Sequence, residues 1–362
     1  MSTPFARFHT ASFYPDYRNL VQAARNRRPA RFPLYEHIIA EEVMETILAT
    51  RFKELAGGDE KDRREYMRHY VRFFREMGYD TVSFERLVSA IMPGSGALYA
   101  HTPGCIRTRE DCRRYPWAEL PDRFFEAYET DYRLLAEEMP RGMKAVGGPG
   151  NGVFECVQDL VGYEPLCYIA ADDPELYGEL FARVGEALAA IWERFLPRFG
   201  EAYAVCRMGD DLGFRSGTLL SPADIRTHIL PQYSRIVALA HDQGKPFLLH
   251  SCGNIFEIME EIIATGIDAK HSNEDAIAPF SVWLERYGAR LGNFGGVDTD
   301  VLCQLPEAEI RSYVREVAEQ SREHGGVAFG SGNSIPEYVP PEGYLAMVDE
   351  VRQWRGDFRS GA

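Results

Sequence analysis

Hydrophobic and polar positions follow a repeating beat along this chain: a short apolar or β-branched run, a turn, then a segment of helical periodicity. The runs fall at residues 32–35, 79–84, 143–147, 203–208, 246–250, 267–271, 291–295 and 327–330. Helix-period segments follow most of them, as at 222–240, 255–264, 306–323 and 341–355. Pro and Ser/Asp punctuation marks the helix starts, at Ser221-Pro222-Ala223-Asp224, Leu305-Pro306-Glu307 and Pro340-Pro341-Glu342. The run Phe247-Leu248-Leu249 is continuously apolar, as expected of a parallel strand covered on both faces. Eight strands alternating with helices predict an α/β fold, a TIM-type (β/α)8 barrel formed by residues 1–362 as one domain. A doubly wound open sheet is the alternative. The first half is stretched. Residues 88–140, with the Gly/Pro-rich Met92-Pro93-Gly94-Ser95-Gly96 and a helical run from Phe124 to Glu138, read as an insertion capping the C-terminal mouth.

Composition alters this picture mainly by exclusion. With 40 Lys and Arg against 55 Asp and Glu, the net charge is −15, which argues against nucleic acid and against an anionic membrane surface. A local Arg cluster could still hold an anionic substrate. The seven cysteines, the first at Cys105 and the last at Cys303, do not form the pattern of a disulfide framework. No signal peptide is read, and no apolar run is long enough to span a bilayer. The expected setting is a reducing cytoplasm.

Chemistry in a barrel gathers at the C-terminal ends of its strands. The stretch that organises the chain is Lys245-Pro246-Phe247-Leu248-Leu249-His250-Ser251-Cys252-Gly253-Asn254, where His250 ends a strand and Cys252 follows in the turn. These two could be metal ligands, a nucleophile with its base, or a tetrapyrrole contact. The other ends carry Glu36-His37, Glu85-Arg86, Gly148-Pro149-Gly150-Asn151-Gly152, Gly209-Asp210-Asp211, His271-Ser272-Asn273-Glu274, Gly296-Val297-Asp298 and Ser331-Gly332-Asn333. Glu36-His37 reads as a structural strand end. Glu85 reads either as a mouth carboxylate or as a solvated loop residue. Gly148 to Gly152 could form an amide nest for an anion, or an ordinary turn. Asp210 and Asp211 read either as a cap for the following loop or as carboxylates that suit a cationic or pyrrole N–H group. His271 and Glu274 read as ligands or as support for ligands, and Asp298 as a site carboxylate or a turn closure. A catalytic zinc needs three protein ligands and an open position. The third would come from another strand end, with Glu274 the candidate.

On these motifs the chain resembles the uroporphyrinogen decarboxylase superfamily, which includes zinc-dependent methyltransferases acting on corrinoids and thiols. The resemblance is carried by Gly209-Asp210-Asp211-Leu212-Gly213 with Leu219-Leu220-Ser221-Pro222, by His250-Ser251-Cys252-Gly253, and by Gly295-Gly296-Val297-Asp298. Phe329-Gly330-Ser331-Gly332-Asn333, Pro340-Pro341-Glu342 and Ala346-Met347-Val348 complete it. It covers roughly residues 200–350 and implies the same barrel. Departures are informative. The Arg-containing motif of the decarboxylases that ends in Gly-Arg-Tyr has no counterpart. Their Phe-Ser-Asp is represented by Ser83-Phe84-Glu85, so that Glu85 replaces the aspartate facing pyrrole N–H groups. Gly330-Ser331-Gly332 stands where the methyltransferases have Gly-Cys-Gly, which supplies their third zinc ligand.

The resemblance implies transfer of a methyl group between a corrinoid and a thiol or similar acceptor. Zinc would be held by His250, Cys252 and Glu274, with Glu85, Asp210, Asp211 and Asp298 as catalytic carboxylates. Arg207, Arg215, Gly148, Asn151, His271, Ser331 and Asn333 would contact substrate. The corrinoid would arrive free or on a partner protein, and the chain would act alone or as a homodimer. The alternatives are decarboxylation of a tetrapyrrole and a non-catalytic barrel that binds a tetrapyrrole or a partner. All three expect the strand-end residues to converge on one cavity, and the zinc reading expects Ser331→Cys to strengthen metal binding.

Overall fold

The computed structural model describes residues 13–358. Seven strands pair in sequential order: β1 Thr81–Leu87, β2 Lys144–Gly150, β3 Tyr203–Gly209, β4 Phe247–His250, β5 Ala269–His271, β6 Gly292–Val297 and β7 Val327–Ser331. Every pairing is parallel. A doubly wound sheet needs a point where strand order reverses. None exists among the described residues, so that alternative is excluded.

The sheet is curled, consistent with a TIM-like barrel, but the eighth expected strand is not a strand. Residues 32–35 meet β7 through one parallel bridge, Leu34 to Phe329. Tyr35 N donates to Phe329 O at 2.8 Å and Phe329 N to Pro33 O at 2.9 Å. Pro33 has no N–H to offer a second neighbour, which limits how far a ladder can extend. The approach is close: a Cβ at Gly330 would lie 1.7 Å from Tyr35 O. Toward β1 no ladder forms among the described residues, and side chains span the seam instead. Ser83 Oγ donates to His37 O at 2.7 Å, and Arg207 Nη1 donates to the same carbonyl at 3.1 Å and to Tyr35 Oη at 2.9 Å.

Alternation with period two divides the strand residues between two cores. Phe247 and Leu249 join the outer core, where Phe247 packs on Trp192 of helix Pro174–Phe199. Leu248 joins Tyr35, Val146, Ala269, Phe294 and Ala328 inside the sheet, with Leu20, Ala23 and Ala24 of helix Arg18–Ala24 packed among them. The same alternation puts His250 on the inner side two residues beyond Leu248, and His271 two beyond Ala269. The ladder then pairs His250 with His271 and Gly209 with His250.

Several strands run on beyond their expected ends, so that Glu85, Gly148 and Ser331 lie within strands. The stretch 88–140 also divides differently. Helix Leu120–Glu138 packs against helices Glu60–Met77 and Pro174–Phe199, which makes it the regular crossover between β1 and β2. Only the loop before it departs from the repeat. There Gly96 and Ala97 N donate to Asp159 O, and Cys105 and Ile106 N to Leu160 O, in helix Val153–Val161. No helix of the described residues is long and apolar enough to cross a membrane, and all seven cysteines are free.

Arg207 is fully buried and pairs with Glu85 Oε2 at 2.7 Å while holding the seam. Arg207→Ala would strand a carboxylate in the barrel, and a loss of about 3–5 kcal/mol is expected in urea unfolding. A loss under about 1 kcal/mol, the range of an exposed pair, would show that the seam is held by other contacts.

Candidate active site

At the inner ends of β4 and β5 two buried histidines meet. His250 Nδ1 lies 2.8 Å from His271 Nδ1, and His271 Nε2 lies 3.0 Å from Ser331 O. A carbonyl oxygen only accepts, so His271 carries its proton on Nε2 and has a lone pair on Nδ1. His250 must then donate from Nδ1, which leaves the lone pair of His250 on Nε2. Burial opposes charging either ring. It pushes His271 down to about 3 and His250 well below the usual imidazole range. His37 stacks on His250 with ring centroids 3.7 Å apart and planes 7° apart, and burial lowers it as well.

The free Nε2 of His250 faces Cys252, with Sγ at 3.3 Å, and Asp211, with Oδ1 at 3.8 Å. Tetrahedral zinc bonds of about 2.0–2.3 Å set ligand atoms about 3.3–3.8 Å apart. The nitrogen–sulfur and nitrogen–oxygen separations therefore fit two edges of a zinc tetrahedron, and all three donor atoms lie within 4.8 Å of one another. Asp211 is further oriented by accepting Cys252 N at 2.8 Å. The other compact set, His37, His250 and His271, does not suit a metal. An ion must lie in the plane of each ligating ring, and two stacked parallel rings share no such point; the facing Nδ1 atoms of His250 and His271 already hold each other. Without a metal, burial first and Asp211 second push the Cys252 thiol well above its ordinary value.

Other expected residues divide into groups. Asn333 Nδ2 reaches Cys252 Sγ at 3.5 Å and also binds Glu274. Glu274 is thus tied to Asn333, and the oxygen nearest the His250–Cys252 pair belongs to Asp211. Arg215, Glu274, Asp298 and Asn333 line one cavity beside Cys252. Asp298 also caps helix Thr299–Gln304 through Asp300 N, and accepts Asp275 N, each at 2.8 Å. Glu85 and Arg207 form their ion pair next to His37, whose Nε2 is 4.0 Å from Glu85 Oε1.

Three residues are placed in structural contacts. Asp210 is buried, accepts Phe154 N, Glu155 N and Tyr233 Oη at 3.0, 2.8 and 2.7 Å, and so anchors helix Val153–Val161; burial raises it to about 6. Asn151 holds Ser89 N, Tyr99 Oη and Glu155. Gly148 gives its carbonyl to Tyr132 Oη at 2.9 Å and leaves space for Trp192. Ser331 is turned toward Glu36. Its hydroxyl donates to Glu36 Oε2 at 2.5 Å and its N–H to Glu36 Oε1 at 2.9 Å.

Sequence reasoning passed over Glu36 and His37, although the same strand-end rule that selected His250 applies to them. It also passed over Lys270, which is buried, lies 3.8 Å over the Trp283 ring, and donates to Ser272 O. Burial lowers its amine to about 7. The residue it contacts, Ser272, holds φ at 113°, a strained value outside glycine. A lysine in an apolar strand is the only signal the sequence offers.

A family model described as uroporphyrinogen decarboxylase (URO-D) matches residues 95–354. The uroporphyrinogen decarboxylases of Paraburkholderia phytofirmans and Burkholderia mallei are each 36% identical to this chain over 104 residues, 29% of this chain and 28% of theirs. The alignment thus spans less than a third of those relatives' length. A methyltransferase from Methanosarcina mazei shares the fold with a TM-score of 0.70 at 17% identity, over 94% of this chain and 99% of that one.

Glu36 generates a pH dependence. Burial raises its carboxyl from 4.5 to about 8, opposed by the two bonds from Ser331. The folded state therefore keeps a proton that the unfolded chain releases near 4.5. Its contribution to stability is whole at low pH and is lost as pH climbs toward 8, at up to about 1.4 kcal/mol per pH unit. Glu36→Gln removes this component, so urea midpoints from pH 5 to 8 should move progressively in the variant's favour. A constant offset between the two proteins would contradict it.

Proposed function

Because the chain belongs to the uroporphyrinogen decarboxylase family, we propose that it is a methyltransferase of that family, which moves a methyl group from a corrinoid to a thiol with the help of zinc. The observation that carries this reading is the set Asp211, His250 and Cys252, whose donor atoms have zinc spacing around a nitrogen lone pair fixed by the fold. Zinc held there would lower the pKa of a thiol at the open fourth position and supply a thiolate near neutral pH.

The chain's own residues do the rest. His271 and the Ser331 carbonyl keep the His250 lone pair aimed at the site. Asn333 donates toward the Cys252 sulfur and stabilises negative charge on it. Stacking from His37 fixes the plane of the His250 ring. In the transfer, the acceptor's S–C bond forms as the bond from methyl to the corrinoid breaks, and the electron pair stays with the corrinoid. The loop of residues 89–119 is read as the cover of the mouth, because Ser89 and Tyr99 bind Asn151 just past β2. With the free cysteines, a reducing cytoplasm is the setting.

The decarboxylase reading draws on the names of the curated relatives. Charge disfavours it. Asp211 accepts Cys252 N, and Glu274, Asp298 and Asp300 outnumber Arg215 in the cavity that Asn333 joins to Cys252, while Arg207 is buried on Glu85; a substrate bearing many carboxylates would meet a net like charge. The third reading, a barrel that binds without catalysis, predicts no dependence on Cys252.

Zinc titration against a chromogenic chelator tests the proposal. Wild type should bind one equivalent, and Cys252→Ala and Asp211→Asn should each lose at least the roughly 10–100-fold that even an outer-shell partner is worth. Ser331→Cys should change little, because that side chain faces Glu36. A wild type without zinc affinity, or a Cys252→Ala variant that binds as well, would leave the site as cavity lining.

A further inference from the structure

A cavity of about 300 Å³ opens beside Cys252, lined by Arg215, Glu274, Asp298, Asp300, Asn333 and Tyr338. Asn333 joins the two, since its amide reaches both Glu274 and the Cys252 sulfur. Three carboxylates and one guanidinium therefore surround a space whose wall residue Asn333 touches the Cys252 sulfur. Their partners are telling. Asp298 is fixed by two backbone amides. Arg215 has no hydrogen bond or ion pair among the described residues, although three carboxylates share its cavity. Thr299, also in the wall, has a buried hydroxyl without a partner. Tyr338 stands at the rim, 71% exposed, a ring open to a cation.

We propose that this cavity binds a small zwitterion, a ligand with both a cationic nitrogen and a carboxylate. The nitrogen lies among Glu274, Asp298, Asp300 and the Tyr338 ring, and the carboxylate pairs with Arg215. The excess of negative charge repels ligands that carry only anions. Two sources share this chemistry, an amino-acid thiol as methyl acceptor and a betaine as methylated amine. The inference rests on the proposed methyltransferase reading for its reaction, but the charge pattern is testable by binding alone.

The test is calorimetric titration of the full chain, zinc-free and zinc-loaded, with L-homocysteine, glycine betaine, cysteamine and 3-mercaptopropionate. At least one zwitterion should bind about tenfold or more tightly than 3-mercaptopropionate, a difference that one charge-assisted contact supplies. Arg215→Gln should weaken that zwitterion by a similar factor and leave cysteamine unchanged, whereas Asp300→Asn should weaken both. Both positions are exposed, so the variants should fold. Zinc loading should strengthen binding of the thiol if the acceptor is the ligand, and should leave glycine betaine unaffected if the methylated amine is. Binding of 3-mercaptopropionate as tight as that of the zwitterions, no binding by either zwitterion, or indifference to Arg215→Gln overturns the proposal. The stated charge pattern in a protein that takes no zinc would sink the methyltransferase reading and leave this one standing.

Discussion

The site depends on one hydrogen bond whose direction cannot be reversed. His271 Nε2 must donate to the carbonyl of Ser331, because that oxygen has no proton to give. From this contact the protonation of both buried rings follows, and with it the position of the lone pair that faces Cys252 and Asp211. Burial completes the arrangement by keeping both histidines neutral. A neutral imidazole with a fixed tautomer is what a metal ligand requires, and the outer contact that fixes it is as much part of the site as the ligand.

The carbonyl can serve this way because the backbone around it is held from several sides. Ser331 is clasped by Glu36 through its own N–H and hydroxyl. Asn273 N donates to Gly332 O, and the Asn273 side chain bonds Gly296 N and Phe294 O, tying the end of β5 to β6 and β7. Between His271 and Asn273 the strained Ser272 is held by the buried Lys270. The irregular seam at residues 32–39 belongs to the same frame. It brings Glu36 to Ser331 and His37 to His250, contacts that cross the closure between the first segment and the last strand.

Much of this frame was legible in the sequence. The alternation at Phe247-Leu248-Leu249 assigns His250 to the inner face, and the two-residue step to Cys252 places a sulfur at the mouth. Other features were not legible, for identifiable reasons. Residues 32–35 carry the same apolar signal as a full strand; that they make one bridge depends on partners nearly 300 positions away. Helix Leu120–Glu138 looked like part of an insertion because a long loop precedes it, and only packing reveals it as the regular crossover. That Asp211 rather than Glu274 lies against His250 follows from the pairing of Gly209 with His250 across β3 and β4, and register is not written in strand composition. Likewise Ser331 resembles a degraded ligand until its hydroxyl is seen on Glu36.

The central claim is that the fold dictates which nitrogen of His250 is free. Long-range proton–nitrogen correlation spectra of protein with labelled histidine read this directly, since protonated and unprotonated ring nitrogens differ widely in shift. At pH 7 in metal-free protein, His250 should appear protonated on Nδ1 and bare on Nε2, and His271 protonated on Nε2 and bare on Nδ1, with assignments made from His250→Gln and His271→Gln. A His250 protonated on Nε2, or carrying both protons, would contradict the account.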